Sequence, residues 1–157
     1  MSQAQWMEEA FALAEEAGAE GEIPIGAVIV DRSGNIIGRG RNRRQSGDPL
    51  GHAEIYAIGE AAKAIGGWRL EGTTMVVTLE PCAMCAGALV NARVETLIFA
   101  AYDPKAGFCG SLGNLVQDPR LNHRLEVIGG FEEQRSRDLL QRFFRELRTR
   151  TERWQSG

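Results

Sequence analysis

The stretch "TTMVVTLEPCAMCAGALVNARVETLIFAA", residues 73–101, joins two apolar runs through a proline, two cysteines and a short alanine-rich segment. Its first part, 73–79, is β-branched and almost wholly apolar, the composition of a strand buried on both faces. "EPCAMCAGALVNA", 80–92, reads as a short helix with Glu80 and Pro81 at its entry, since proline is tolerated in a first turn. "VETLIFAA" follows as the next strand. The apolar runs at 75–79 and 97–101 suit the centre of a sheet that is covered on its faces.

Upstream, "IPIGAVIVD" and "IIGRGR" flank the turn "RSGN" and read as a β-hairpin. Asn42 lies just beyond it, in a polar loop that ends at Asp48-Pro49. Residues 3–19 have Trp6, Ala10, Leu13, Ala14 and Ala17 on one helical stripe. A second helix runs from His52 to about Ile65 and stops at Gly66-Gly67. Downstream come a glycine-rich loop from Asp103 to Gly113, a short strand "LEVIGG", and a helix from Phe131 to about Arg150. That helix has Leu139, Leu140, Phe143, Phe144 and Leu147 on its apolar face. The order α-β-β-α-β-α-β-(loop)-β-α predicts an α/β protein of three layers, with a sheet of about five strands between helices.

The 157 residues suit one domain over 1–157, and 43% hydrophobic with 25% charged residues is an ordinary globular balance. No 18-residue window is apolar enough to span a membrane. The start, "MSQAQWMEEAFALAEEAGAE", lacks the basic and apolar segments of an export signal, so a cytoplasmic protein is expected. Net charge is −3, yet residues 135–153 carry seven arginines against three acids, and "RGRNRR" forms a second basic cluster at 39–44. Such runs are most often solvated faces, but they also leave room for a polyanionic partner.

The cysteines are Cys82, Cys85 and Cys109, an odd number that argues against a disulfide framework. Cys82 and Cys85, at i and i+3, share a helix face near a helix N-terminus, where thiolates are favoured. Alone, the pair fits a metal site or a dithiol redox centre equally well. His52 opens another helix, and if both helices start at one edge of the sheet, His52, Cys82 and Cys85 give three zinc ligands. Three protein ligands leave a fourth position open, as in a catalytic zinc site. Cys109 or His123 would close it, although neither has a paired spacing. Glu54 is two residues from His52. That spacing is wrong for two ligands in mid-helix, but it suits one ligand and one proton carrier around a helix end. Without the cysteines, Glu54 would read as a first-turn acid favoured by the helix dipole.

His52-Ala53-Glu54 with Pro81-Cys82-Ala83-Met84-Cys85 is the H-x-E…P-C-x-x-C pattern of the zinc-dependent nucleobase deaminases. With "IPIGAVIV", Asn42, "DPLGHAEI", "TLEPCAMCAGAL", "AYDPKAGFCGSL", "LNHR" and "FFRELR", the chain resembles the cytidine deaminase-like fold. Within that fold it is most similar to the bacterial tRNA-specific adenosine deaminases. The resemblance implies a central mixed five-stranded sheet and one Zn²⁺ per subunit, held by His52, Cys82 and Cys85. Glu54 would be the proton shuttle. It further implies conversion of adenosine to inosine at the wobble position of a tRNA anticodon, typically in an arginine tRNA, by a homodimer. Asn42 would contact the flipped base, Asp103 and Lys105 would line the pocket mouth, and Arg145 would grip the RNA. The pairs Leu50-Gly51 and Phe108-Cys109 depart from the family pattern and bear on pocket shape. A free nucleobase or nucleoside deaminase is the alternative with the same chemistry. A structural-zinc RNA-binding module and a dithiol redox protein are the non-deaminase alternatives.

Overall fold

Strand residues alternate between two apolar surfaces, and that alternation sorts the core into two halves. The computed structural model describes residues 1–156, with side chains as far as Thr151. The elements in chain order are α1 (Gln3–Ala19), β1 (Gly26–Val30), β2 (Ile36–Arg41), α2 (Ala53–Ile65), β3 (Thr74–Leu79), α3 (Ala83–Asn91), β4 (Thr96–Ala101), β5 (Glu126–Gly129) and α4 (Glu133–Ser156). The five strands form one sheet in the order β2-β1-β3-β4-β5. β1 is antiparallel to both β2 and β3, whereas β3, β4 and β5 run parallel. The sheet is therefore mixed. The stretch 73–101 is its parallel unit, with α3 as the crossover helix that parallel pairing requires.

One face of the sheet presents Ala27, Ile29, Met75, Val77, Leu97 and Phe99 to α2 and α3. The other presents Val28, Val30, Val76, Ile98 and Ala100 to α1, with Leu139 of α4 packed at the margin. These are the three layers expected from the element order. No helix among the described residues is long and apolar enough to cross a membrane.

Three local expectations are corrected. The buried stripe of α1 is Met7, Ala10, Phe11, Ala14 and Ala17. Trp6 and Leu13 are half-buried at its border, and the Trp6 indole donates to the Gly34 carbonyl at 3.2 Å. Met7 and Phe11 pack against Val28, Val30, Val76, Ile98 and Ala100 of the sheet. Second, α3 begins at Ala83 and not at Glu80, with Cys82 as an extended N-cap (φ −74°, ψ 178°). Glu80 and Pro81 are instead engaged by the loop after β4, through the Glu80 carboxylate and the Pro81 carbonyl. Third, α4 extends past Arg150, and its apolar stripe is only partly covered, with Phe144 41% and Leu147 45% exposed. Glu152 and Arg153 of the basic run lie outside the residues whose side chains are described.

The contact that places α2 is unusually close. Ala53, Ala57 and Ala61 form its buried face, at i, i+4 and i+8. They sit on Gly38 and Gly40 of β2, where a Cβ would overlap the carbonyl oxygens of Ala57 and Ala53. An edge strand without side chains at two positions lets a helix of alanines settle onto it, and that fixes where α2 begins. Gly66, in the left-handed region at φ 82°, ends the helix where the sequence predicts. Gly40→Ala is expected to force this contact apart at about 1–3 kcal/mol or more. Thermal denaturation should show a fall in Tm of roughly 5 °C. Gly59→Ala on the same helix, where a Cβ meets nothing within 4 Å, is expected to leave Tm unchanged or raise it by about 2 °C.

Candidate metal centre

His52 and Cys82 occupy equivalent places in the fold. Each is the N-cap of a helix on the same face of the sheet, with extended backbone (φ −91°, ψ 144° for His52), and neither side chain caps its own helix. Both side chains are free to turn across the gap between the helix ends. Cys85, in the first turn of α3, joins them.

The His52 Nδ1 lies 3.5 Å from the Cys82 Sγ and 3.6 Å from the Cys85 Sγ. The three donor atoms fall within 4.8 Å of one another, and they are the group among the described residues able to hold a metal ion. Zinc–nitrogen bonds of about 2.0–2.1 Å and zinc–sulfur bonds of about 2.3 Å at a tetrahedral angle put N and S about 3.6 Å apart. The observed separations have that spacing, so the group is positioned for one zinc ion. Cys109 and His123 do not join it. Cys109 is buried against the Pro81 carbonyl, and His123 Nε2 is 2.7 Å from the Val94 carbonyl oxygen.

The sulfurs divide one proton between them. A hydrogen bond from Cys85, reinforced by His52, draws the Cys82 thiol down to about 3. The same contact, with burial, pushes the Cys85 thiol far up. The Cys82 sulfur in turn raises His52 above its ordinary value. A metal ion entering the group displaces these protons and takes two thiolates and a neutral imidazole.

Glu54, in the first turn of α2, is 4% exposed. Its Oε1 is buried and has no hydrogen-bond partner among the described residues. Burial pushes its carboxyl up to about 7. An unpartnered buried carboxyl oxygen is destabilising by about 1–3 kcal/mol. Here it stands beside Cys85, placed to meet a group that the protein does not itself supply. Ala53, between His52 and Glu54, is buried, and its backbone carbonyl lies against Gly40 of β2.

Asn42 is also buried, and its Oδ1 accepts from the Ala53 N–H at 3.0 Å. That leaves its amide NH₂ without a protein acceptor among the described residues. Asp103 and Lys105 lie on the loop after β4, which runs beside the ligands through the Cys82–Gly107 bridge and the Phe108 N–H to Pro81 carbonyl bond of 2.9 Å. Arg145 lies on the exposed part of α4, a helix on the opposite face of the sheet from α2 and α3. The basic runs are partly neutralised: Arg41 pairs with Glu20 and Glu16, Arg135 with Glu8 and Arg137 with Glu133. Arg43 stacks over Tyr56 at 5.1 Å.

Two buried acids were not singled out from the sequence. Glu22 accepts from the N–H groups of Gln45 and Ser46 at 2.9 and 3.1 Å, which ties down the loop after Asn42. Glu80 binds the loop after β4 at four donors. The available signal was a glutamate placed directly before Pro81-Cys82, where an apolar strand ends.

Comparison with known proteins agrees with this geometry. The family of MafB19-like deaminases matches residues 1–148. A tRNA-specific adenosine deaminase of Bacillus subtilis (strain 168) is 51% identical over 144 residues, covering 91% of this chain and 89% of that protein. One of Haemophilus influenzae is 46% identical over 143 residues, covering 90% and 83%. A structure solved in studies of A-to-I editing by tRNA:A34 deaminases at the wobble position superposes with a TM-score of 0.83 at 41% identity, covering 87% of this chain and 99% of that one. The chain belongs to the MafB19-like deaminase family and to the family of the tRNA-specific adenosine deaminases.

Proposed function

We propose that this protein, as a single catalytic domain, hydrolyses adenosine to inosine at the wobble position of a tRNA anticodon. The observation that carries this reading is the unpartnered carboxyl oxygen of Glu54 beside a three-ligand group with tetrahedral spacing. His52, Cys82 and Cys85 would hold the zinc, which would supply a Lewis acid able to lower the pKa of water towards about 7. Glu54 takes a proton from the attacking water and passes it to the purine ring; it then takes the second proton from the new C6 hydroxyl and gives it to the amino group, which leaves as ammonia. A carboxyl pushed up to about 7 by burial suits both directions of transfer.

Adenine C6 is reachable only in a base splayed out of its stack, which is least demanding in a single-stranded loop. The Asn42 amide meets the flipped base at its edge. Asp103 and Lys105 form the pocket mouth, and Arg39, Arg43 and Arg44, outside the ion pairs described, meet phosphates. Arg145 grips RNA across the interface of a homodimer, since α4 lies on the face of the sheet away from the ligands of its own subunit. The identity to the Bacillus subtilis relative supports a tRNA substrate; an arginine tRNA and a cytoplasmic place of work are the finer parts of the proposal.

Incubation with unmodified arginine tRNA, followed by nucleoside analysis, is expected to show inosine at the wobble position. Turnover of free guanine or cytosine with none on tRNA would replace this reading by that of a free-base deaminase. Glu54→Gln is expected to lower kcat by at least about 100-fold while elemental analysis still finds one zinc per chain. Cys85→Ala is expected to lose the zinc and the activity together.

A further inference from the structure

The loop after β4 has no regular structure between Asp103 and Gly113, yet its backbone is closely held. A single buried side chain does most of the holding. Glu80 is 2% exposed. Its Oε1 accepts from the Asp103 N–H at 2.9 Å and from the Ser111 hydroxyl. Its Oε2 accepts from the N–H groups of Cys109 and Ser111, both at 3.0 Å. Four donors saturate the carboxylate, and three of them are main-chain groups of an irregular, partly exposed segment. The loop is wound around the carboxylate so tightly that a Cβ at Gly107 would overlap the Glu80 carboxyl group.

Glu80 is also anchored at its own end. Its N–H donates to the Ala101 carbonyl at 2.8 Å, where β3 and β4 finish, and the next two residues are Pro81 and the ligand Cys82. The loop returns to both: Phe108 N–H to the Pro81 carbonyl, and Gly107 bridged to Cys82. One carboxylate thus sets the distance between the metal ligand and the wall that carries Asp103 and Lys105. The Asp103 side chain turns back onto the Lys105 and Ala106 N–H groups at 3.1 and 3.2 Å, so its direction follows from where its backbone is held.

We propose that Glu80 is a positioning residue for the substrate. It holds the loop 103–111 against the ligand helix so that the RNA-facing side of the pocket is formed before RNA arrives. This rests on the tRNA deaminase reading given above. Glu80→Gln keeps the shape but turns an acceptor into a donor facing the loop N–H groups. Ser111→Ala keeps the carboxylate and removes one tie.

Both variants should be compared with the zinc-loaded wild type by amide hydrogen exchange without RNA, zinc content and steady-state tRNA deamination. In Glu80→Gln, exchange at Cys109 and Ser111 is expected to accelerate at least about tenfold. KM for tRNA is expected to rise about tenfold with kcat within about threefold and one zinc per chain retained. Ser111→Ala should shift the same quantities less. Unchanged exchange, an unchanged KM, or zinc lost in step with activity would overturn the proposal, the last by assigning Glu80 to the metal site. If Glu80→Gln does not fold, Ser111→Ala decides by the same exchange and KM criteria. A wild type without tRNA deamination would sink the substrate reading alone, because the exchange comparison uses no RNA.

Discussion

Three donor atoms from two helices must meet around a point no larger than one ion, and the rest of the architecture answers to that requirement. His52 and Cys82 can approach only if α2 and α3 begin at the same edge and on the same face of the sheet. The β3-α3-β4 crossover sets the position of α3. The position of α2 is set from the other side, where an alanine face settles onto Gly38 and Gly40. A shift of one ångström in either helix would take the nitrogen–sulfur separations out of the range that a tetrahedral ion tolerates.

The same economy governs the polar residues around the ligands. Asn42 satisfies the first N–H of α2 with one end of its amide, while the other end has no acceptor among the described residues. Glu22 and Glu80 each replace missing secondary structure with a carboxylate, on the loop after Asn42 and the loop after β4. Glu54 is the one buried acid treated differently, since an oxygen of its carboxyl is left without a partner. Among the buried carboxylates of the described residues, two are satisfied by their contacts, and the third has an unpartnered oxygen beside the ligands. That contrast is what singles out Glu54 as the candidate for chemistry.

Much of this was legible in the chain because the signals are local. The strand runs, the helix stop at Gly66 and the ligand triad all appear as short patterns, and two ligands mark helix starts. Strand order and direction depend on pairings between distant segments, and the mixed sheet was expected only from resemblance. The same holds for Asn42, Asp103, Lys105 and Arg145. The start of α3 lies beyond the entry that the sequence predicts because Glu80 and Pro81 look like a helix entry, while their partners lie 23 to 31 residues further on. Trp6 departs from its expected place for a related reason. Helical spacing identifies a stripe, but only the surface it meets decides which edge of the stripe is covered.

The two N-caps have a consequence beyond chemistry. A helix ordinarily begins with a side chain that satisfies its own first amides, and α2 and α3 both begin with residues that turn away to face each other. The contacts of His52 with the two cysteines span the gap between the helix starts, while Asn42 takes the first amide of α2. Whatever bridges that gap binds the folded chain in preference to the unfolded one, and so adds to its stability by mass action. The supply of zinc in the cell thereby becomes a variable in the folding equilibrium of the protein, and starvation for the metal would be felt as a loss of protein as well as a loss of turnover.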